Sequence, residues 1–258
     1  MSLFYSPQLT KKNYHKLTRS QLFAHNAMQR EVTKVDPYDK IVGTGIMGRA
    51  KDILSKNGHV VGTISIDNPS IAVDGMQGKS QPATIIGRTG SKKFATRPED
   101  EFDFDIEKYT RTLNSQVDQF SGIFSETWSE KFITGMDEAE EYESIFDQAK
   151  LDESIWTKYG SPNYADKSKV EQEHWEKWSS LSKLIQEKDL RNVDRDLFFT
   201  SFRGWDHHDE MKIGLREQLY ALNYGLEMFV KQAKSSGFWN EVAVVITSDF
   251  GRTLTPNR

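Results

Sequence analysis

The 258-residue sequence predicts an α/β fold, a mostly parallel sheet flanked by helices, on three observations from its C-terminal quarter. Residues 242–246 form an apolar, β-branched run, the composition of a strand covered by helices on both faces. Residues 197–202 form a second strand-like run. Between them, residues 211–234 place Ile213, Leu215, Leu219, Leu222, Leu226, Phe229 and Val230 mostly three and four apart, the period of an amphipathic helix. Strand, helix and strand in that order make a βαβ unit, so both strands end at one edge of the sheet.

Ligands of open α/β sheets sit at the carboxyl ends of the strands, and both runs end in polar groups there. The first runs into Arg203-Gly204-Trp205-Asp206-His207-His208, and the second into Ser248-Asp249-Phe250-Gly251-Arg252. Each strand-like run thus ends in ligand-type side chains, an acid and histidines after the first and Asp249 after the second. Arg252 is a planar, permanently charged fork suited to the oxygens of a phosphate, sulfate or carboxylate.

The preceding elements follow from the same periodicities. Ser20 is a candidate N-cap for a helix containing Leu22, Phe23, Ala27 and Met28. Residues 43–48 make a glycine-rich turn, residues 49–56 a helix and residues 59–66 a strand. Residues 67–98 read as loops with a short strand at 83–86. The acidic, aromatic region 99–190 is predicted to be a mainly helical insertion in a single domain spanning 1–258. Phe120, Phe124, Trp128 and Phe132 recur every four residues, and Trp175, Trp178, Leu181 and Leu184 every three, so each set marks one helix face, read as core packing. Gly160-Ser161-Pro162-Asn163 separates two helical blocks.

Composition narrows the function classes. The formal charge is −4 and gives no basic footprint for nucleic acid. Cysteine is absent, which excludes disulfides and thiolate metal sites. A metal would be held by carboxylate and imidazole, suiting zinc, manganese, magnesium or calcium. No run reaches the roughly 18 apolar residues that span a bilayer. Residues 1–25 carry no signal-peptide core, and a secreted or periplasmic location stays open if the chain begins inside its domain.

Two motifs carry a family resemblance. Gly204-Trp205-Asp206-His207-His208, followed after a helix and strand by Ser248-Asp249-Phe250-Gly251-Arg252-Thr253, resembles the paired core motifs of the DUF1501 family of the alkaline phosphatase and sulfatase superfamily. Arg19-Ser20-Gln21-Leu22-Phe23 and Thr44-Gly45-Ile46-Met47-Gly48-Arg49 resemble two earlier family segments, with Gln21 where the family has histidine. The resemblance implies a three-layer alkaline phosphatase-like sandwich. It also implies a metal site holding Asp206, His208 and Asp249, with Ser20 in the nucleophile's place. The implied activity is metal-dependent hydrolysis of a small anionic phosphate or sulfate ester, with Arg203 or Arg252 clamping the non-bridging oxygens. The family's Gly-Gly-x-Asp-Gly and Thr-Asp-His-Gly motifs are not found, so the chain is expected to be an incomplete excerpt of such a domain.

Two other readings stand beside it. Gly43-Thr44-Gly45-Ile46-Met47-Gly48 has the G-x-G-x-x-G spacing of a dinucleotide site, with Asp67 about twenty residues on as the ribose ligand. Only Ile41 and Val42 precede the first glycine, however, where a full buried strand is required. A non-catalytic relative that binds a partner through its acidic helical region is the other.

Overall fold

The computed structural model describes residues 25–35, 43–76, 83–90, 106–115, 122, 124–156, 169–208 and 210–249. It has an α/β architecture whose chain divides into two compact units. The first comprises residues 1–85, 191–201 and 238–258, and the second residues 86–190 and 202–237.

The first unit holds helices α1 (His25–Thr33) and α2 (Ile46–Lys56), strand β1 (Val61–Ile66), a 3-10 turn (Ile71–Val73) and strand β3 (Arg195–Thr200), with β2 (Thr84–Ile86) at its border. The sheet order is β2-β1-β3, and β1 and β3 are parallel, in register from Val61 opposite Arg195 to Ile66 opposite Thr200. Parallel pairing puts Ile66 and Thr200 at one edge, as a βαβ-type sheet requires. Ile64, Ser65 and Ile66 are almost fully enclosed, so β1 is buried on both faces, as a strand of a parallel sheet is.

Two buried contacts hold this unit. Lys51 of α2 donates to Thr63 Oγ1 of β1 at 3.2 Å, and burial pulls its ammonium below the ordinary lysine range. Arg191 grips Asp196 with both terminal nitrogens, at 2.7 and 2.6 Å, fork against carboxylate. The glycine-rich turn is a packing device. An added Cβ on Gly45 would lie 1.8 Å from Ile71 O, and one on Gly48 2.0 Å from the carbonyl carbon of Asp74. Gly45 N–H also donates to Asp74 O at 2.8 Å. Helix α2 starts at Ile46 rather than 49, because this close approach lets the chain turn directly into it.

The second unit is helical: α3 (Ile106–Ser115), α4 (Ser125–Gln148), α5 (Glu153–Trp156), α6 (Lys169–Gln186) and α7 (Met211–Ser235). It contains the four described helices of the expected helical region. Helices α6 and α7 pack on each other, with Gly225 of α7 against the Trp178 indole, where a Cβ would fall 2.3 Å from Cδ1. Trp178, Leu181 and Leu184 are buried as their spacing predicts. Gln232 joins α5 to α7, its Oε1 accepting from Asp152 N–H and Trp156 Nε1–H, each at 2.9 Å.

Three expectations are corrected. Residues 242–246 form no strand: Val245 is 82% exposed and Ile246 58%, because no strand pairs with them among the described residues. A β-branched run reports a preference for extended backbone, and a strand also needs a hydrogen-bonded neighbour. The fourfold aromatic face is likewise not core. Phe124 and Trp128 are exposed, and α4 instead buries Ser129, Met136, Ile145 and Phe146, the face that meets its neighbours. Phe120 lies outside the described residues. On α7, Ile213, Leu215 and Leu219 are exposed, whereas Gln218, Ala221, Gly225, Met228, Phe229, Gln232 and Ala233 are buried. Small residues allow close approach to α6, so the contact face is rotated from the bulky apolar stripe.

Candidate functional site

The two motif segments each hold a carboxylate against an imidazole. In the first unit, the exposed segment 242–248 leads to Asp249, whose side chain is 19% exposed. Its Oδ2 lies 2.6 Å from Nδ1 of His25, the first residue of α1. The contact is short enough to be charge-assisted, and it fixes the orientation of both the imidazole and the carboxylate. Sequence spacing identified Asp249 but not its partner. His25 lies in the Ser20 segment, and its meeting with Asp249 is a product of tertiary folding.

In the second unit, Asp206 Oδ2 lies 2.9 Å from His208 Nε2, on the loop between β3 and α7. Gly204 makes the turn with φ +88°, and the Gln218 amide occupies the space a side chain would fill. Arg203 is exposed on the same loop. The neighbouring His207 turns inward beneath Gly214, and its buried Nε2 makes no hydrogen bond. Within the motif, His208 is therefore the residue turned to solvent beside a carboxylate. Asp206 is engaged with His208, and the residue at the α7 N-cap is Glu210, which makes no capping side-chain bond.

Of the other expected site residues, Ser20 and Arg252 lie outside the described residues. Asp206 and His208 are brought together in one unit, and Asp249 belongs to the other. Each pair combines a hard oxygen donor with an imidazole, the donor chemistry of zinc or manganese ligands. Among the described residues no group of three or more histidine, aspartate and glutamate side chains stands at metal-binding spacing.

The dinucleotide reading loses its geometric basis. The space in front of Gly45 and Gly48, which a pyrophosphate would need, is filled by the backbone of residues 71–75. Asp67 closes β1 with φ +80°, a backbone turn after the strand.

Helix α6 contributes a further group that periodicity did not mark. His174 is 2% exposed, and neither ring nitrogen has a hydrogen-bond partner. Its ring stacks on Phe202 at 4.0 Å with 2° between planes. Burial, and then the nearby Lys177 ammonium, push its pKa down to about 4. Among the described residues, no helix is long and apolar enough to cross a membrane.

Comparison with known families places one match on this geometry. The family model described as "Protein of unknown function (DUF1501)" matches residues 136–258, a span that contains Arg203, Asp206, His208, Asp249 and Arg252. No curated protein matches the chain, and no solved structure does.

Proposed function

We propose that the chain is a metal-dependent hydrolase-like domain of the alkaline phosphatase and sulfatase type, acting on a small phosphate or sulfate ester. The observation that carries this reading is the 2.6 Å contact between His25 and Asp249. A ligating carboxylate works best when a second group fixes its orientation, and His25 gives Asp249 that support. The Asp206–His208 pair on a matched motif supports the same reading.

In this proposal Asp206 and His208 are ligands of a divalent ion, zinc, manganese, magnesium or calcium, and Asp249 is a candidate metal ligand that His25 orients. The ion when bound would act as a Lewis acid on the ester oxygens. Ser20 is the nucleophile: as its hydroxyl oxygen bonds to phosphorus or sulfur, the bond to the ester oxygen breaks and the alcohol leaves carrying the serine's proton. Water then displaces the serine to release phosphate or sulfate. Arg252 and Arg203 bind the non-bridging oxygens and hold the group in line. His25 keeps the Asp249 carboxylate in one orientation through its Nδ1 contact.

Hydrolysis of p-nitrophenyl phosphate and p-nitrophenyl sulfate, with each metal supplied in turn, tests the proposal. Turnover abolished by a chelator, restored by one metal and lost in Asp206→Ala and Asp249→Ala is the expected result. Activity that survives chelation, or that is unchanged in both variants, overturns it. One observation favours a non-catalytic binding module as the second reading: the exposed apolar run at Val244, Val245 and Ile246. Absence of turnover and of metal binding together would establish that reading instead.

A further inference from the structure

The loop between β3 and α7 carries two histidines in succession, and they stand in opposite environments. The His208 side chain is 70% exposed and faces Asp206, whereas the His207 ring lies against Gly214 of α7. A Cβ on Gly214 would fall 2.4 Å from both Cε1 and Nδ1 of that ring, so the glycine leaves the notch in which the ring sits. Glycine inside a helix is unfavourable relative to alanine, and here the absent methyl is what makes room. The His207 Nε2 is buried without a hydrogen-bond partner, so what it gives the notch is the shape of its ring.

The chain on either side of His207 carries the chemistry. His207 N–H donates to Trp205 O at 3.1 Å, which closes a three-residue turn with Asp206 at its apex. Seating His207 therefore fixes the backbone of the residue before it and the residue after it, and the side chains of those two meet at 2.9 Å toward solvent. The start of the loop is held by other means. Phe202 stacks on His174 of α6 at 4.0 Å, and Gln218, one turn beyond Gly214 on the same helix face, fills the space in front of Gly204. At the end that carries the pair, His207 is the side chain seated on α7.

We propose that His207 is a positioning residue whose ring, seated against Gly214, holds the loop so that Asp206 and His208 stand preformed as a pair. The pair's use as metal ligands rests on the hydrolase reading; its being held by His207 does not.

Three variants of the full chain test this: His207→Ala empties the notch, Gly214→Ala fills it with a methyl, and His207→Phe keeps a ring of similar shape without nitrogen. Protection of the residue 207 amide against hydrogen exchange reads the turn, while cobalt titration and p-nitrophenyl ester turnover read the pair. Protection, cobalt affinity and kcat should each fall by about tenfold or more in His207→Ala and Gly214→Ala, with KM nearly unchanged, and return in His207→Phe. The melting temperature of Gly214→Ala should not fall, since alanine suits a helix interior, and that separates loss of position from loss of fold. Unchanged protection in His207→Ala overturns the proposal whether or not the chain turns over an ester. Parental protection with no cobalt binding in His207→Phe also overturns it, making His207 itself a ligand. If the parent neither binds cobalt nor hydrolyses an ester while the protection pattern holds, the hydrolase reading fails and the His207 anchor stands. Gly214→Ala decides the matter should His207→Phe fail to fold.

Discussion

His25 and Asp249 are 224 positions apart in the chain and meet at 2.6 Å, Nδ1 against Oδ2. A helix that begins at one end of the described chain thereby fixes the carboxylate at the other. If Asp249 is a ligand, His25→Ala should lower metal affinity or turnover by about 10- to 100-fold, the usual effect of removing a group that orients a ligand. His25→Gln should recover part of the loss by restoring a hydrogen bond. Metal titration and initial rates measure both, and equal values in parent and His25→Ala would show that the pair is only structural.

Acid should destabilise the second unit through His174. Its pKa is about 4 when folded against 6.5 as the ordinary value, so the unfolded chain binds more protons between those limits. Stability is therefore complete above about pH 6.5 and is lost as the pH falls through 4, by roughly 3 kcal/mol in all. Urea denaturation at pH 7.5, 5.5 and 4.5 should show this slope, and His174→Gln should flatten it.

Gly45 and Gly48 of the 43–48 turn should tolerate no side chain, for reasons of packing. Gly45→Ala drives a methyl into Ile71 O and Gly48→Ala drives one into the Asp74 carbonyl, both against backbone that cannot rotate away. Each should cost about 1–3 kcal/mol or more, as overpacking of a close contact does. NAD added to the parent chain should leave its melting temperature unchanged. A dose-dependent rise would return the motif to a nucleotide role.

Val245, 82% exposed, should be replaceable without loss of stability. Val245→Ser is expected to stay within about 0.5 kcal/mol of the parent, the range of ordinary surface substitutions. It should also reduce self-association in light scattering, since it breaks an exposed apolar run. A loss of several kcal/mol would mean that residues 242–246 are enclosed in solution.

The sequence by itself determined the local elements and the chemistry of their ends. Trp178, Leu181 and Leu184 declare one face of α6 because a helix brings every third or fourth residue to the same side. The runs at 59–66 and 197–202 declare extended backbone, and the strands form at Val61–Ile66 and Arg195–Thr200, because β-branched and aromatic side chains crowd a helix and suit a pleated one. The Asp-x-His loop and Asp249 were legible as candidate donors because each follows a strand-like run, and open α/β sheets place ligands at strand ends.

Only the tertiary structure decided what each element meets. It buried Ala221, Gly225 and Ala233 of α7 together with Phe229, and left Ile213, Leu215 and Leu219 of the bulky stripe exposed, since closeness of approach depends on the partner's shape as much as on hydrophobicity. It left Val244, Val245 and Ile246 unpaired, since a strand exists only with a neighbour, and neighbour choice is written in no single segment. It joined His25 to Asp249 and enclosed His174 without a partner, two contacts between distant or differently placed groups that no local period encodes.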